Sequence, residues 1–191
     1  PGIGGLVEHD LLDPLALVVD DESQWIKEIV FNKSTDAWIH QFTHSADVMA
    51  RQEALGGSAR IHQDSTTTAT DKAAIIEAFH DVIRDRTTYW RVRYGALLSL
   101  RSLITAPFDE RTIALLEDVI ANERSWNRAA AIGTMGLSRD PTLAQLYIGQ
   151  LADSSDRVVN AAAIALSQSK SPLAFDALVK LAYLDRVSLS A

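Results

Sequence analysis

Three stretches of the chain repeat one pattern. Val92-Arg93-Tyr94-Gly95-Ala96-Leu97-Leu98-Ser99-Leu100, Asn127-Arg128-Ala129-Ala130-Ala131-Ile132-Gly133-Thr134-Met135 and Val158-Val159-Asn160-Ala161-Ala162-Ala163-Ile164-Ala165-Leu166 begin 35 and 31 residues apart. Each has a small residue at its centre (Ala96, Ala131, Ala162) and an apolar residue four positions on (Leu100, Met135, Leu166). A period in this range marks helical hairpins that bury their apolar faces by stacking on one another. Such an array presents an extended surface rather than a pocket built for chemistry.

Composition agrees with close helix packing. Apolar residues make up 47% of the 191 and aromatics only 7%, so alanine and leucine supply much of the core and let helix axes approach. Eighteen Lys and Arg against 25 Asp and Glu give a net charge of −7, which argues against nucleic acid as a main partner. The chain has no cysteine, so disulfides and thiolate metal sites are excluded. No apolar run reaches the roughly 18 residues of a membrane span, and no signal-like segment opens the chain. A soluble, cytoplasmic protein is the expectation. Because the first residue is Pro1, the chain is expected to be a piece of a longer or processed protein.

Residues 1–33 read as a glycine-containing lead-in followed by a β-hairpin, with strands at Leu15–Val19 and Trp25–Phe31 around the turn residues Asp20 to Ser23. Residues 34–191 read as about nine helices. Ser34 is expected to cap the first, and Ser45 or Asp47 the second, which Gly56-Gly57 should end or kink. Asp64 to Thr70 reads as the longest loop, and Thr70-Asp71 as the start of a strongly periodic helix through Ile83. Helices are then expected over Tyr89–Ile104, Asp109–Asn122 and from a Ser125 cap to Leu137. Others should open near Pro141, Ser154 or Ser155, and Pro172, the last reaching Leu181 with a frayed end at Ser188 to Ala191.

No catalytic, cofactor-binding or metal-binding residue emerges. His40 and His44 share a helix face, but His40-Gln41-Phe42-Thr43-His44 has glutamine where a zinc peptidase has its general base, and no third ligand is evident. There is no Gly-x-Ser-x-Gly and no phosphate-cradling loop. Arg91 and Arg93 beside Tyr89, Trp90 and Tyr94 could stack on nucleic acid, but the acidic total favours a repeat arginine bonded to the next hairpin with its rings in the core. Trp126, near the start of the next helix, reads the same way.

One family resemblance is carried by these residues. Leu17-Val18-Val19-Asp20, Trp25-Ile26-Lys27-Glu28-Ile29-Val30-Phe31, Trp38-Ile39-His40-Gln41-Phe42 and Asp47-Val48-Met49-Ala50-Arg51-Gln52-Glu53-Ala54-Leu55 together resemble the segment after the catalytic domain of gluzincin, alanyl-aminopeptidase-type zinc aminopeptidases, where a strand leads into a HEAT-like helical domain. Tyr89-Trp90-Arg91-Val92-Arg93 is similar to that domain too, and to the aminopeptidase-like TBP-associated subunit of TFIID. The resemblance covers Leu15 to Leu103. It implies a lid or scaffold that shapes access to a catalytic domain carrying the zinc. The ligand motif of that domain is missing from this chain, so zinc is expected only there and no catalytic residue carries over.

The expected fold is therefore all-α, a HEAT-like α-solenoid of stacked antiparallel helix pairs preceded by a short β-hairpin. The expected function is a non-catalytic scaffold or lid from a zinc aminopeptidase, with a stand-alone protein-binding scaffold as the alternative. The partner would be its own catalytic domain, or another protein or peptide, with no nucleic acid and no membrane. An enzyme acting by itself, such as a HEAT-like DNA glycosylase, fits the acidic charge least. The inner face of the array should be lined by the second helix of each pair. Arg93, Arg128 and Asn160 near the starts of those helices are the candidate contact residues, with bonding between repeats as their competing and favoured role.

Overall fold

A computed structural model describes residues 33–188. The chain divides after Ser34, and the second unit, Thr35–Ala191, holds the helical array. The expected β-hairpin and all of the expected frayed end but Ser188, which closes the last helix, lie outside the described residues.

Nine α-helices follow one another among the described residues: α1 (Thr35–His44), α2 (Val48–Gln63), α3 (Ala69–Arg84), α4 (Trp90–Leu103), α5 (Glu110–Asn122), α6 (Ser125–Met135), α7 (Ala144–Gln150), α8 (Asp156–Gln168) and α9 (Leu173–Ser188). Two 3-10 turns, Gly136–Ser138 and Pro141–Leu143, join α6 to α7. None of these helices is long and apolar enough to cross a membrane.

Side-chain caps start several helices. Asp47 accepts from the Met49 amide at 2.8 Å, Thr68 from Asp71 at 3.1 Å, and Asp109 from Thr112 at 2.6 Å. Each satisfies one of the donors a helix start leaves without a partner. The third helix thus begins at Ala69 behind Thr68, one residue before the expected start at Thr70-Asp71. The longest plain connection is Ile104 to Asp109 rather than the Thr-rich loop.

The helices pair as α1/α2, α3/α4, α5/α6 and α7/α8, and α9 packs on α7 and α8. Each first helix packs on the second helix after it. The second helices also pack on one another in an unbroken row, α2 on α4, α4 on α6 and α6 on α8, whereas the first helices touch their own kind sparingly. The row of second helices, the inner row, is therefore the more closely packed of the two.

Alanine sets that row. Ala96, Ala131 and Ala162, the centres of the three repeated stretches, are buried completely, and so are Leu100, Met135 and Leu166 four residues on. Ala54 and Ser58 of α2 occupy the same two positions and are also buried completely. The second helices thus share one register, in which a methyl group meets the neighbour and lets larger side chains one turn later fill the seam. Phe42, Phe79, Leu97, Leu116 and Ile132 extend the buried core between the rows.

Gly56-Gly57 neither ends nor kinks α2, which continues to Gln63. The reason is tertiary. A Cβ on Gly57 would stand 2.8 Å from the buried Trp38 ring, so the glycine is where α1 lies against α2. Close packing outweighs the helix-propensity cost of about 1 kcal/mol for a glycine. Gly136, just past α6, faces backbone as well as side chain, since a Cβ there would lie 2.8 Å from Ala165 Cβ and 3.1 Å from its Cα on α8.

At the far end, no second helix follows α9 among the described residues. Phe175 and Tyr183 stay exposed there.

The Gly136 contact sets an expectation. Backbone cannot move aside as a flexible side chain can, so Gly136→Ala should destabilise the array by about 1–3 kcal/mol, as overpacking does. Gly56→Ala, where a Cβ meets nothing within 4 Å, should leave stability unchanged or raise it. Thermal unfolding of the two variants followed by circular dichroism checks the contrast.

Candidate functional site

The shared register of the second helices sorts their residues by direction. With about 100° per residue, a position three before the buried alanine flanks the buried side, while positions five before, two before and two after point away from it. The two sets behave differently.

Three residues before the alanine stand Arg51 in α2, Arg93 in α4 and Arg128 in α6. Each guanidinium reaches the turn of the next helix pair. Arg51 donates to Thr88 Oγ1 at 3.3 Å, Arg93 to Glu123 Oε1 at 2.5 Å and Arg128 to Asp153 Oδ2 at 2.5 Å. Two of them also bond back to the end of the preceding helix, with Arg51 Nε on the Phe42 carbonyl at 2.6 Å and Arg93 Nε on the Ile83 carbonyl at 2.9 Å. The Arg93–Glu123 pair is the deepest, its side chains only 5% and 9% exposed.

Asp85 completes the first rung. It accepts from the Thr87 amide and from the hydroxyls of Thr87 and Thr88, and these bonds hold its carboxyl down at about 2. In the fourth pair the corresponding residue is Val159, so the ladder stops there.

Two of the three candidate contact residues thus tie neighbouring pairs together. Arg93 forms part of the wall of a surface cavity of about 640 Å³ with Arg86, Tyr89, Trp90, Asn122 and Arg124, but its guanidinium is committed to Ile83 and Glu123. Asn160, one residue after Val159, is exposed on the inner row. Arg51, the first member of the ladder, was not among the candidates. Its alanine lies 42 residues before Ala96 rather than about 35, which hides the repeat; an arginine three before a core alanine was the usable signal.

The outward positions carry the inner surface. Five before the alanine stand Met49, Arg91, Trp126 and Arg157; two before, Gln52, Tyr94, Ala129 and Asn160; two after, Gly56, Leu98, Gly133 and Ile164. Met49, Leu98, Trp126 and Ile164 are 74%, 42%, 41% and 58% exposed. The expected placement of the rings in the core is therefore corrected. Tyr89 and Trp126 are exposed, Trp90 and Tyr94 half-buried: Trp90, Tyr94 and Trp126 stand six, two and five residues before their alanines and turn away from the seam, while Tyr89 lies just before the first residue of α4.

These side chains form one cluster. The Tyr94 and Trp126 rings meet edge to face, centroids 5.7 Å apart at 80°. Arg157 lays its guanidinium over the Trp126 ring, 3.4 Å from the centroid, and Arg91 stands 5.4 Å over Trp90. Gln52 donates to the Arg91 carbonyl at 2.6 Å, and Gly95 makes room for the Gln52 side chain. Between them opens a cleft of about 490 Å³ lined by Val48, Met49, Gln52, Trp90, Arg91, Tyr94 and Trp126.

His40 and His44 stack with centroids 4.6 Å apart on exposed α1, with His44 Nδ1 2.6 Å from Thr43 Oγ1. Among the described residues no three His, Asp or Glu side chains converge as a metal site. The buried His80 on α3 lies 3.3 Å from Thr112 Oγ1, and burial holds its pKa below the usual histidine value.

The family model described as HEAT repeats matches residues 120–189, from the end of α5 through α9. With the pairing of the helices, this defines the class: a HEAT-like, all-α helical-repeat domain. No curated protein matches the chain. Nothing in these findings links it to a peptidase.

Two expectations follow from the ladder. Arg93→Ala leaves Glu123 buried without its cation and should cost about 3–5 kcal/mol, whereas Arg86→Ala, whose pair with Asp118 is exposed, should cost about 1 kcal/mol or less. Urea unfolding of both checks it. Asp85 has a folded pKa below its unfolded one, so its contribution is present above the ordinary carboxylate pKa and lost as pH falls from about 4 toward 2. In melting temperatures measured across that range, Asp85→Asn should show a shallower acid dependence than the wild type.

Proposed function

We propose that this chain is a non-catalytic scaffold that holds another polypeptide along the inner row of second helices. The observation that carries the reading is the set of exposed apolar and aromatic side chains at outward positions of that row, Met49, Leu98, Trp126 and Ile164, with Met49 and Trp126 lining the Tyr94 cleft. Contiguous exposed apolar surface on an ordered array is a feature of interaction sites. Asn160, on the same row, is assigned to the contact surface. Arg93 and Arg128 are assigned to shaping it from beneath.

The resemblance to zinc aminopeptidases supports a narrower form, in which the partner is a catalytic domain of the same protein and the array shapes access to its site. Asp47 to Leu55, which carries that resemblance, includes the cap of α2, the first ladder arginine and Met49 of the cleft. The reading frame upstream of Pro1 tests this form. A frame encoding a His-Glu-x-x-His helix supports it. A frame without one leaves the stand-alone scaffold, to which the TFIID subunit is similar.

The general reading has its own test, a random dodecapeptide library panned on the full chain, with hydrogen exchange of each complex. Selected peptides should protect α2, α4, α6 and α8 and lose binding in Trp126→Ala. Recovery only of peptides that protect the first helices, or of none that bind, would overturn it.

A further inference from the structure

The inner surface also carries charge, with more free cations than carboxylates. In a chain of net charge −7, five arginines (Arg84, Arg86, Arg93, Arg111 and Arg128) hold carboxylates in ion pairs. Arg91, Arg101 and Arg157 are exposed and form no ion pair among the described residues. All three stand at outward positions of the inner row, Arg91 and Arg157 five before their alanines and Arg101 five after Ala96, beside Gly133 of α6. The carboxylates nearest in register are Glu53 on α2 and Asp156 at the start of α8.

Two of the guanidiniums sit on aromatic faces rather than in open solvent. An arginine stacked on a tryptophan has a fixed position and keeps its N–H edges free, so it can present a planar fork to a carboxylate without first being ordered.

We propose that the inner row binds an acidic polypeptide segment in extended conformation, with one apolar side chain in the Met49–Tyr94–Trp126 cleft and carboxylates on Arg91 and Arg157. The proposal rests on the scaffold reading and names the chemistry of its partner. Charge complementarity selects the occupant: the free charges on this face are predominantly cationic, and the cleft between them is apolar and aromatic.

Spacing sharpens it. Packed helices lie about 8–10 Å apart, and a polyproline-type chain advances about 3.1 Å per residue with three residues per turn, or about 9 Å per turn. Side chains three apart in such a peptide therefore meet successive second helices. Trp126 and Arg157 occupy the same register position on the neighbouring helices α6 and α8, and the Arg157 guanidinium reaches back over the Trp126 ring, so a carboxylate within one such turn of the apolar anchor meets it.

The test uses the full chain and two fluorescein-labelled heptapeptides, Glu-Ser-Ser-Phe-Ser-Ser-Glu and its Lys-for-Glu counterpart, read by fluorescence anisotropy. The acidic peptide should bind at least tenfold more tightly than the basic one. It should lose tenfold or more in Arg157→Glu and in Trp126→Ala, and weaken as salt is raised. Both substitutions are at exposed positions, and unchanged circular dichroism spectra confirm that the fold survives. Equal affinity for the two peptides, or an Arg157→Glu variant that binds the acidic peptide as well as the wild type does, would overturn the proposal. The library separates the two levels. Selected peptides that protect the inner row but are basic or uncharged would overturn the acidic assignment and leave the scaffold reading standing. Failure of the library to reach that row removes both.

Discussion

A guanidinium near the start of each of the first three second helices binds the array along its length. Stacked hairpins have no long-range strand pairing to fix one pair against the next, and apolar contact between smooth alanine faces is tolerant of sliding. An arginine that must reach the turn of the following pair removes that freedom, because its partners are point acceptors. Arg51 and Arg93 add a second constraint by bonding the end of the helix before them, so each links its own pair and the next one. Burial makes the Arg93–Glu123 rung a matter of register as much as of energy: any slip that parts the two leaves charge in the core, which is among the costliest faults a fold can carry.

The alanine seam and the ladder depend on each other. Small side chains at the centre of each second helix bring neighbouring axes close, and only at that distance can a side chain three residues earlier span to the next turn. Gly57 against Trp38 and Gly136 against Ala165 apply the same device where even a methyl group is too large. The fourth pair has Val159 in place of the arginine; Arg128 joins it to the third pair at Asp153, alongside the close packing in which Gly136 meets Ala165.

Most of the architecture was legible because it rests on a period. Ala96, Ala131 and Ala162 announce the seam, and the helices around them follow. What was misread depends on contacts between segments distant in sequence. Gly56-Gly57 carries a local signal for a break, and only the ring of Trp38, from another helix, explains why the helix continues. The aromatics were assigned to the core because rings usually are, yet phase within the helix overrides residue type. Trp126 lies five positions before a buried alanine, about 140° round the helix from it, and so faces out. Of the candidates Arg93, Arg128 and Asn160, the first two are bonded between neighbouring pairs, and Asn160 is exposed on the row of second helices.

The same phase argument separates two uses of one chemical group. Arg91 and Arg93 are two residues apart on α4, about 200° apart round its axis. Arg93 is buried and bonded on both sides; Arg91 is exposed and stacked beside Trp90. On α8 the inward position has become Val159 while the outward one keeps Arg157, so the exposed cation continues on a helix where the structural one is absent. Laid over Trp126, Arg157 still joins α8 to α6, but it does so from the exposed side, where the ladder arginines join pairs from the buried one.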